Sequence, residues 1–222
     1  MNVNNPFCRI FRSHFGRVAL FALVVVAFRG AYIFLITPPY AGNTPGVWNP
    51  RAPITALYNI KPMDAAAQLD FFGEAKFLLE HNGDVNARNC LGETPLHLAA
   101  RNDYLGIVAL LVANKAKINA TDDDGQTPVA EAAAMGNKSV VTYLIAHGAN
   151  IDARTRAVSA GSPLGNPPLS LAVLSGNEDM VQFLLSHGAG VDIRNDDGST
   201  PLDLAMGRAD IAEVLRRQHG HA

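Results

Sequence analysis

The side chains best suited to chemistry in this chain are its histidines. His81, His147 and His187 each precede a glycine by one or two residues, and His97 lies in a run of small apolar residues. Imidazoles serve as metal ligands and as general bases. Because the first three recur with a period, we expect them to close the ends of helices, where a hydrogen-bond donor suits the helix dipole, rather than to share a metal ion.

Two aspartate-rich turns are the next candidates. Asp122-Asp123-Asp124-Gly125 and Asp196-Asp197-Gly198 resemble the start of a calcium loop, but the later oxygen ligands and the bidentate glutamate of such a loop are missing. The sequence also holds no nucleophile motif, P-loop or HExxH zinc motif. It therefore predicts a protein that is not an enzyme and that holds neither a metal nor a cofactor.

A repeated pattern must position these residues. Thr94-Pro95-Leu96-His97-Leu98-Ala99-Ala100 returns, altered, from Thr127, Pro167 and Thr200, at steps of 33, 40 and 33 residues. Threonine is a good N-cap and proline suits the first helical position, so each threonine-proline copy predicts the start of a helix. A period of this size indicates stacked helical units.

A second helix and a stop follow each start. Apolar residues recur at helical spacing, first in Leu105–Leu111, and Gly148 and Gly188 suit the left-handed residue that closes a helix. Each unit is thus predicted to run turn, helix, short loop, helix, extended loop. The extended pieces are predicted at Asp84–Ala87, Lys117–Ala120, Asn150–Ala153 and Gly190–Ile193.

These units resemble ankyrin repeats, whose pattern runs D-G-x-T-P-L-H-x-A-A, then an apolar second helix, then G-A-D-V-N-A. The resemblance covers roughly residues 58–219 and implies an all-α ankyrin-repeat solenoid with β-turn fingers. It also implies that His97 ties neighbouring units together and that the Asp-Gly pairs form the finger turns. Unit 2 matches nearly throughout, and unit 1 is a degenerate capping unit. Units 1 to 5 are residues 58–89, 90–122, 123–155, 163–195 and 196–222 of the repeat domain 58–222.

Two units depart from the pattern. Unit 4 is preceded by seven extra residues within Arg156–Pro163 and has Pro167 in place of the threonine cap, and unit 5 is about two residues short between its helices. The extra residues fall at a finger. They are interpreted either as part of a binding face or as a tolerated expansion of a surface loop, which costs little entropy.

The charge of the chain is unevenly distributed. All 20 acidic residues lie at or after Asp64, so residues 1–57 carry five arginines and no acid, whereas residues 58–222 hold 13 Lys/Arg against 20 Asp/Glu, a net charge of −7. Phosphate binding needs a basic face. The acidic repeat domain therefore argues against nucleic acid as a ligand.

The head of the chain predicts a targeting segment. After a basic stretch, residues 1–17, the apolar segment 18–36 has 19 residues and includes Arg29; it is just long enough to span a bilayer, although a central arginine costs about 2.5–3.5 kcal/mol. It is interpreted as an uncleaved signal-anchor helix, as a cleaved signal peptide over Val18–Phe28, or as a buried helix behind a misassigned start. Residues 37–57 form a Pro/Gly-rich linker. Either signal keeps the arginines in the cytoplasm and exports the repeats, to the periplasm in a bacterium.

The resemblance implies a non-enzymatic module, expected to be monomeric, that binds a protein partner through its concave face and finger tips. The acidic fingers favour a partner with a basic patch. The alternatives are an accessory or stress-protection factor for an envelope enzyme, a small-molecule-binding or enzymatic protein, and a secreted effector if the signal is cleaved. The partner-binding residues implied by position are Arg88, Cys90, Leu91, Glu93, Arg101, Asn102, Thr121, Asp123, Asp124, Gln126, Ala134, Met135, Leu174, Ser175, Arg194, Asp196, Asp197 and Ser199.

Overall fold

The structure is a computed structural model that describes residues 62–154 and 165–219. Residues Pro62–Ala222 belong to one compact part of the chain. The predicted hydrophobic helix at 18–36, the linker at 37–57 and the extra residues at 156–163 lie outside the described residues, so those three predictions stay predictions.

The described residues form pairs of antiparallel helices and contain no strand, which confirms the all-α fold. The second helices are α2 (Phe72–Glu80), α4 (Leu105–Ala113), α6 (Lys138–Ala146), α8 (Glu178–Ser186) and α10 (Ala209–His219). The first helices are α1 (Pro62–Gln68), α3 (Pro95–Arg101), α5 (Pro128–Met135), α7 (Pro168–Ser175) and α9 (Pro201–Leu204).

The helices stack in two layers. Along the first layer α1 packs on α3, α3 on α5, α5 on α7 and α7 on α9; in the second layer α2 packs on α4, α4 on α6 and α8 on α10. Buried alanines such as Ala99, Ala132 and Ala172 allow the first helices to approach closely. Burial of large apolar side chains between the layers supplies the main stabilisation. They include Leu96, Ile107, Leu111, Leu144, Leu169, Met180, Leu184, Ile211 and Leu215.

The first helices begin where the threonine-proline pattern predicts. The Thr127 hydroxyl accepts a hydrogen bond from the Ala130 N–H at 3.4 Å, and the Thr200 hydroxyl accepts from the Asp203 N–H at 3.2 Å. These bonds satisfy N–H groups that a helix start leaves open. In unit 5 the first helix has only four residues, so the shortening of that unit falls on α9.

The second helices end on the recurring histidines, as the sequence predicts. Nδ1 of His81, His147 and His187 donates to the carbonyl oxygen four residues earlier, at 2.8, 2.7 and 2.8 Å. The imidazole also contacts the aromatic ring of that same earlier residue, with ring centroids 4.0 to 4.1 Å apart. Gly148 and Gly188 follow with φ of 93° and 86°, the left-handed conformation that glycine adopts without strain.

The prediction of extended pieces after each stop is wrong, because these pieces are turns. The N–H groups of Ala87, Ala120 and Ala153 donate to the carbonyl oxygens three residues earlier, at 3.2, 3.0 and 3.1 Å, within Asp84–Ala87, Lys117–Ala120 and Asn150–Ala153. Gly190–Ile193 also contains a turn.

The turn presents one polar side chain to the following unit. Oδ1 of Asn86 accepts from the Lys117 N–H at 2.8 Å, Oδ1 of Asn119 from the Asn150 N–H at 2.9 Å, and Oδ1 of Asp152 from the Gly190 N–H at 2.9 Å. This ladder of Asn86, Asn119 and Asp152 links successive units by satisfying backbone N–H groups, and a straight strand would aim these side chains elsewhere.

Candidate partner-binding surface

Each described finger is a tight turn organised by one side chain at its start, namely Asn89, Asp122 or Asn195. In unit 3, the Asp122 N–H donates to the Gln126 carbonyl at 3.0 Å, and Asp122 Oδ1 accepts from the Asp124 and Gln126 N–H groups at 2.9 and 2.7 Å. Asn89 and Asn195 accept equivalent pairs of bonds. The Asp-Gly pairs therefore form finger turns, as the resemblance implied.

Arginines connect neighbouring fingers. Nη2 of Arg88 lies 3.1 Å from Asp123 Oδ1, and its Nη1 donates to the Thr121 carbonyl at 2.6 Å. Arg154 makes the equivalent ion pair with Asp196 at 2.6 Å. Exposed pairs of this kind contribute about 0–1 kcal/mol each, so their main effect is to neutralise part of the finger charge.

A buried ion cluster lies between units 2 and 3. This junction cluster consists of Glu93, Arg101 and Glu131, whose side chains are only 5, 12 and 7% exposed. Nη1 of Arg101 donates to Oε1 of Glu93 and, at 3.2 Å, to Oε1 of Glu131, while Asn89 Nδ2 donates to Oε2 of Glu93 at 2.8 Å. Burial alone would raise the pKa of Glu93, but the Arg101 cation outweighs it and the pKa is lowered.

His97 lies beside this cluster, and its hydrogen bonds determine its protonation state. Its Nδ1 accepts from the Thr94 N–H at 3.1 Å, and its Nε2 lies 3.0 Å from the Gln126 carbonyl oxygen in the next unit. A carbonyl only accepts, so Nε2 carries the proton and the imidazole is neutral. Burial lowers the pKa of His97 to about 4, in agreement with this assignment. The bond to Gln126 confirms that His97 ties units 2 and 3 together.

Asp122 occupies a position where units 2 and 5 have asparagine. Burial raises the pKa of Asp122 to about 6, and the neighbouring carboxylates of Asp124 and Glu93 add to the increase. An amide at this position would make the same two acceptor bonds without the charge. The unit 3 finger thus holds a carboxylate whose ionisation is unfavourable, whereas the equivalent fingers of units 2 and 5 hold a neutral amide.

Many of the predicted partner-binding residues are engaged within the protein. Glu93 is buried and Arg101 is held in the junction cluster. Further engaged residues include Arg88, with its finger bonds, Asn102, whose amide donates to Leu98, Ser175, whose hydroxyl donates to Ala172, and Arg194, whose guanidinium donates to Gly198. Asp123 and Asp196 pair with Arg88 and Arg154. By exposure, Cys90, Leu91, Asp124, Gln126, Ala134 and Ser199 are half-buried, whereas Thr121, Asp123, Asp196 and Asp197 are exposed.

Two predicted residues are large, apolar and exposed. Met135 is 58% exposed at the end of α5, and Leu174 is 43% exposed near the end of α7. A third such residue, which the sequence reasoning missed, follows the next first helix: Met206, just after α9, is 85% exposed. The signal for Met206 was its place before Gly207, which matches the place of Met135 before Gly136.

The sequence reasoning also missed Glu131, and it did not anticipate the burial that raises the pKa of Asp122. Each breaks the pattern of the chain itself, because Glu131 stands where units 2 and 4 have Leu98 and Leu171, and Asp122 stands where units 2 and 5 have Asn89 and Asn195. The sequence signal was therefore a glutamate at a position where other units have leucine, and an aspartate at a position where other units have asparagine.

Stacked pairs of short helices joined by finger turns define a helical repeat protein. The family model described as ankyrin repeats (3 copies) matches residues 63–155 and 156–221. This chain belongs to the ankyrin-repeat family, whose repeats generally serve as protein-binding modules. No curated protein matches the chain.

The described residues lack both a membrane-spanning helix and a cluster of metal-binding side chains. Within residues 62–154 and 165–219, no helix has the length and hydrophobicity needed to cross a membrane. The same stretches contain no group of three or more His, Cys, Asp or Glu side chains arranged to hold a metal ion.

Proposed function

We propose that this protein is a non-enzymatic binding module, displayed on the exported side of a membrane, that binds a protein partner through its finger tips and the exposed ends of its first helices. The observation that carries the proposal is the position of the side chains that do not recur. The recurring ones, such as Leu96 and Leu169, are buried scaffold, whereas Met135 and Leu174 differ between units and face solvent.

The finger tips support a protein with a basic patch as the partner. Asp197 is exposed at the unit 5 finger, next to Asp196, and Asp123 and Asp124 lie at the unit 3 finger. Arg88 and Arg154 neutralise only part of this charge. Acidic tips attract and orient a basic partner, which raises the association rate more than the affinity.

The membrane tether is supported by residues 18–36, which are apolar over a bilayer-spanning length and follow three arginines. A cleaved signal would instead yield a secreted or periplasmic protein. Carbonate extraction of membranes followed by blotting separates the two: a full-length species that stays in the pellet supports the tether, and a shortened soluble species contradicts it.

Partner binding is tested by capture from membranes with the full-length chain as bait. In one variant, the finger aspartates Asp123, Asp124, Asp196 and Asp197 are changed to asparagine; in the control, the exposed Lys76, Glu80, Gln182 and Glu213 of the second helices are changed to alanine. We expect the finger variant to lose a partner that the wild type and the control retain. Equal capture by all three would overturn the assignment of the fingers.

A further inference from the structure

One serine of the first layer is buried with an unsatisfied hydroxyl group. Ser170 is the third residue of α7 and is 0% exposed. Within the described residues its Oγ has no hydrogen-bond partner. Buried hydroxyl groups in proteins are nearly always hydrogen-bonded, because removing one from water without a replacement bond is unfavourable. The burial of Ser170 therefore indicates a partner that the described residues do not supply.

The equivalent position in unit 2 shows what this space can hold. His97 fills it with an imidazole, whose Nδ1 accepts from the Thr94 N–H at 3.1 Å and whose Nε2 lies 3.0 Å from the Gln126 carbonyl oxygen of the next unit. In unit 4 a serine replaces the histidine, and Pro167, which has neither an N–H nor a hydroxyl group, replaces the threonine. Of the groups that form this bridge in unit 2, the unit 4–5 junction keeps only the carbonyl at its far end, which belongs to Ser199.

The unit 2–3 and unit 4–5 junctions share one register. Asn137 donates to two carbonyl oxygens at the end of α3, at 2.8 and 2.9 Å, and Arg208 donates to the equivalent two near the end of α7. The finger carbonyls are also held alike, since Ser199 accepts from the Asn195 N–H at 2.9 Å and Gln126 accepts the matching bond at 3.0 Å. We therefore expect the finger carbonyl to lie at a similar distance from the first helix at both junctions.

That distance is too long for one hydrogen bond from a serine and suits two bonds in series. Nε2 of a histidine lies three bonds beyond Cβ, whereas the oxygen of a serine lies one bond beyond it and so falls about 2 Å short. Because Nε2 of His97 lies 3.0 Å from its carbonyl, we expect Ser170 Oγ about 5 Å from the Ser199 carbonyl oxygen. Two O–H···O bonds through one water molecule span about 5–6 Å.

We propose that one buried water molecule links Ser170 Oγ to the Ser199 carbonyl oxygen, in place of the imidazole that links units 2 and 3. Exchanging an imidazole ring for a hydroxyl group frees more volume than the roughly 30 Å³ that a water molecule occupies in the liquid. The site is thus a solvent site within the scaffold, and it does not depend on what the fingers bind.

The site offers the polar partners that a buried water molecule requires, usually about three. A carbonyl oxygen has two lone pairs, and that of Ser199 uses one for the Asn195 N–H, so the water donates to the other. The Ser170 hydroxyl bonds to the same water. No side chain caps the start of α7, so its open N–H groups add donors at the same end of the helix.

The test combines a crystal structure of the full-length wild type in detergent with thermal melts of variants. Ser170→Ala removes the hydroxyl group, and Pro167→Thr together with Ser170→His restores the residues of unit 2. The matched control is Ser139→Ala, which makes the same change at the second residue of α6, where the side chain is exposed. This control measures the effect of helix propensity alone.

We expect electron density for a single water molecule about 2.5–3.0 Å from both Ser170 Oγ and the Ser199 carbonyl oxygen. Ser170→Ala should melt about 2–4 °C below Ser139→Ala, because the water and the carbonyl lose a hydrogen-bonded link. In a crystal structure of the double variant, the imidazole should occupy the position of the water.

A Ser170→Ala variant that melts above Ser139→Ala would overturn the proposal, because deleting a hydroxyl group that has no partner removes its desolvation cost. So would a wild-type structure without density between the two oxygens, in which Ser170 Oγ turns to a carbonyl of its own helix. A water peak that persists at this position beside the imidazole of the double variant would also contradict it. If Ser170→Ala does not fold, the density in the wild type decides.

Discussion

Three equivalent positions hold charged side chains at one junction between units of this stack and uncharged side chains at another. Where unit 2 meets unit 3, Glu93, Arg101 and Glu131 form a buried ion cluster. Where unit 4 meets unit 5, the equivalent positions are Asn166, Leu174 and Leu204. The amide oxygen of Asn166 accepts from Asn195 at 3.1 Å, much as Glu93 accepts from Asn89.

The difference shows how one scaffold yields two surfaces. At the unit 2–3 junction, the long side chain at the helix end turns inward because two carboxylates hold it. At the unit 4–5 junction no buried carboxylate occupies these slots, and the side chain at the helix end is a leucine that remains 43% exposed. The unit 2–3 junction therefore buries its charges, whereas the unit 4–5 junction displays an apolar side chain on the surface that we propose binds the partner.

Removing the cation of the junction cluster should have the largest effect. Arg101→Leu introduces the residue of unit 4 but leaves Glu93 and Glu131 buried together, and breaking a buried ion pair costs about 3–5 kcal/mol. We expect that loss in the free energy of unfolding, measured by urea denaturation at neutral pH. Adding Glu93→Asn and Glu131→Leu reproduces the unit 4–5 chemistry and should recover most of the loss.

The exposed ion pair of Arg154 with Asp196 supplies the control for this measurement. Arg154→Leu should cost less than about 1 kcal/mol, because solvent screens that pair. A similar cost for Arg101→Leu would mean that the junction cluster contributes no more to stability than a surface pair. The two junctions would then differ in their residues but not in their stability.

His97 should make the unit 2–3 junction sensitive to acid. Its folded-state pKa of about 4 lies below the ordinary value of 6.5, so its contribution is complete above pH 6.5 and is lost as the pH falls towards 4. The loss amounts to about 3 kcal/mol. His97→Ser introduces the residue that unit 4 has at this slot, Ser170, and removes this term. We expect the difference in unfolding free energy between the wild type and His97→Ser to shrink between pH 6.5 and 4. A constant difference for His97→Ser would contradict the neutral assignment.

Asp122→Asn should give the smallest effect, and a gain in stability. The folded-state pKa of about 6 exceeds the ordinary value of 3.8, so the favourable contribution of the protonated carboxyl is complete below pH 3.8 and is lost as the pH rises through 6. Since the side chain is half-buried and partly screened, we expect the asparagine variant to be about 1 kcal/mol more stable at pH 7, with no gain near pH 4. The reverse change, Asn195→Asp, should destabilise unit 5 at neutral pH. Thermal melts at pH 7 and pH 4 measure both variants, and a variant that melts at the wild-type temperature at pH 7 would contradict the expectation for it.

Local chemistry explains what the sequence could predict. The threonine-proline starts and the histidine and glycine stops depend on neighbours within a few residues, whereas the role of His97 was implied by the resemblance to ankyrin repeats. The turns after each stop were missed because the β-branched Val85 and Ile118 favour extended structure. The side-chain amides of Asn86 and Asn119 in these turns instead bond to the next unit, and that interaction requires the stacked register.

The binding residues were harder to predict for the same reason. Arg101 stands at the end of α3, and its inward position depends on Glu131, which is 30 residues away in sequence. Met206 follows the four-residue α9 and is exposed. The inward position of Arg101 cannot be derived from unit 2 alone, because it requires Glu131 of unit 3.

The junction cluster also determines the order of the units. Glu131 needs a cation from the unit before it, and only unit 2 has an arginine in that slot; unit 3 has Ala134 and unit 4 has Leu174. A tandem duplication of residues 123–155 would therefore bury a second glutamate opposite an alanine, and we expect the longer chain to melt at a lower temperature than one that duplicates a unit without this acid. A repeat array usually lengthens by duplication of its own segments. In this chain a duplicated unit 3 would be destabilising, because its glutamate would lack the arginine that unit 2 supplies.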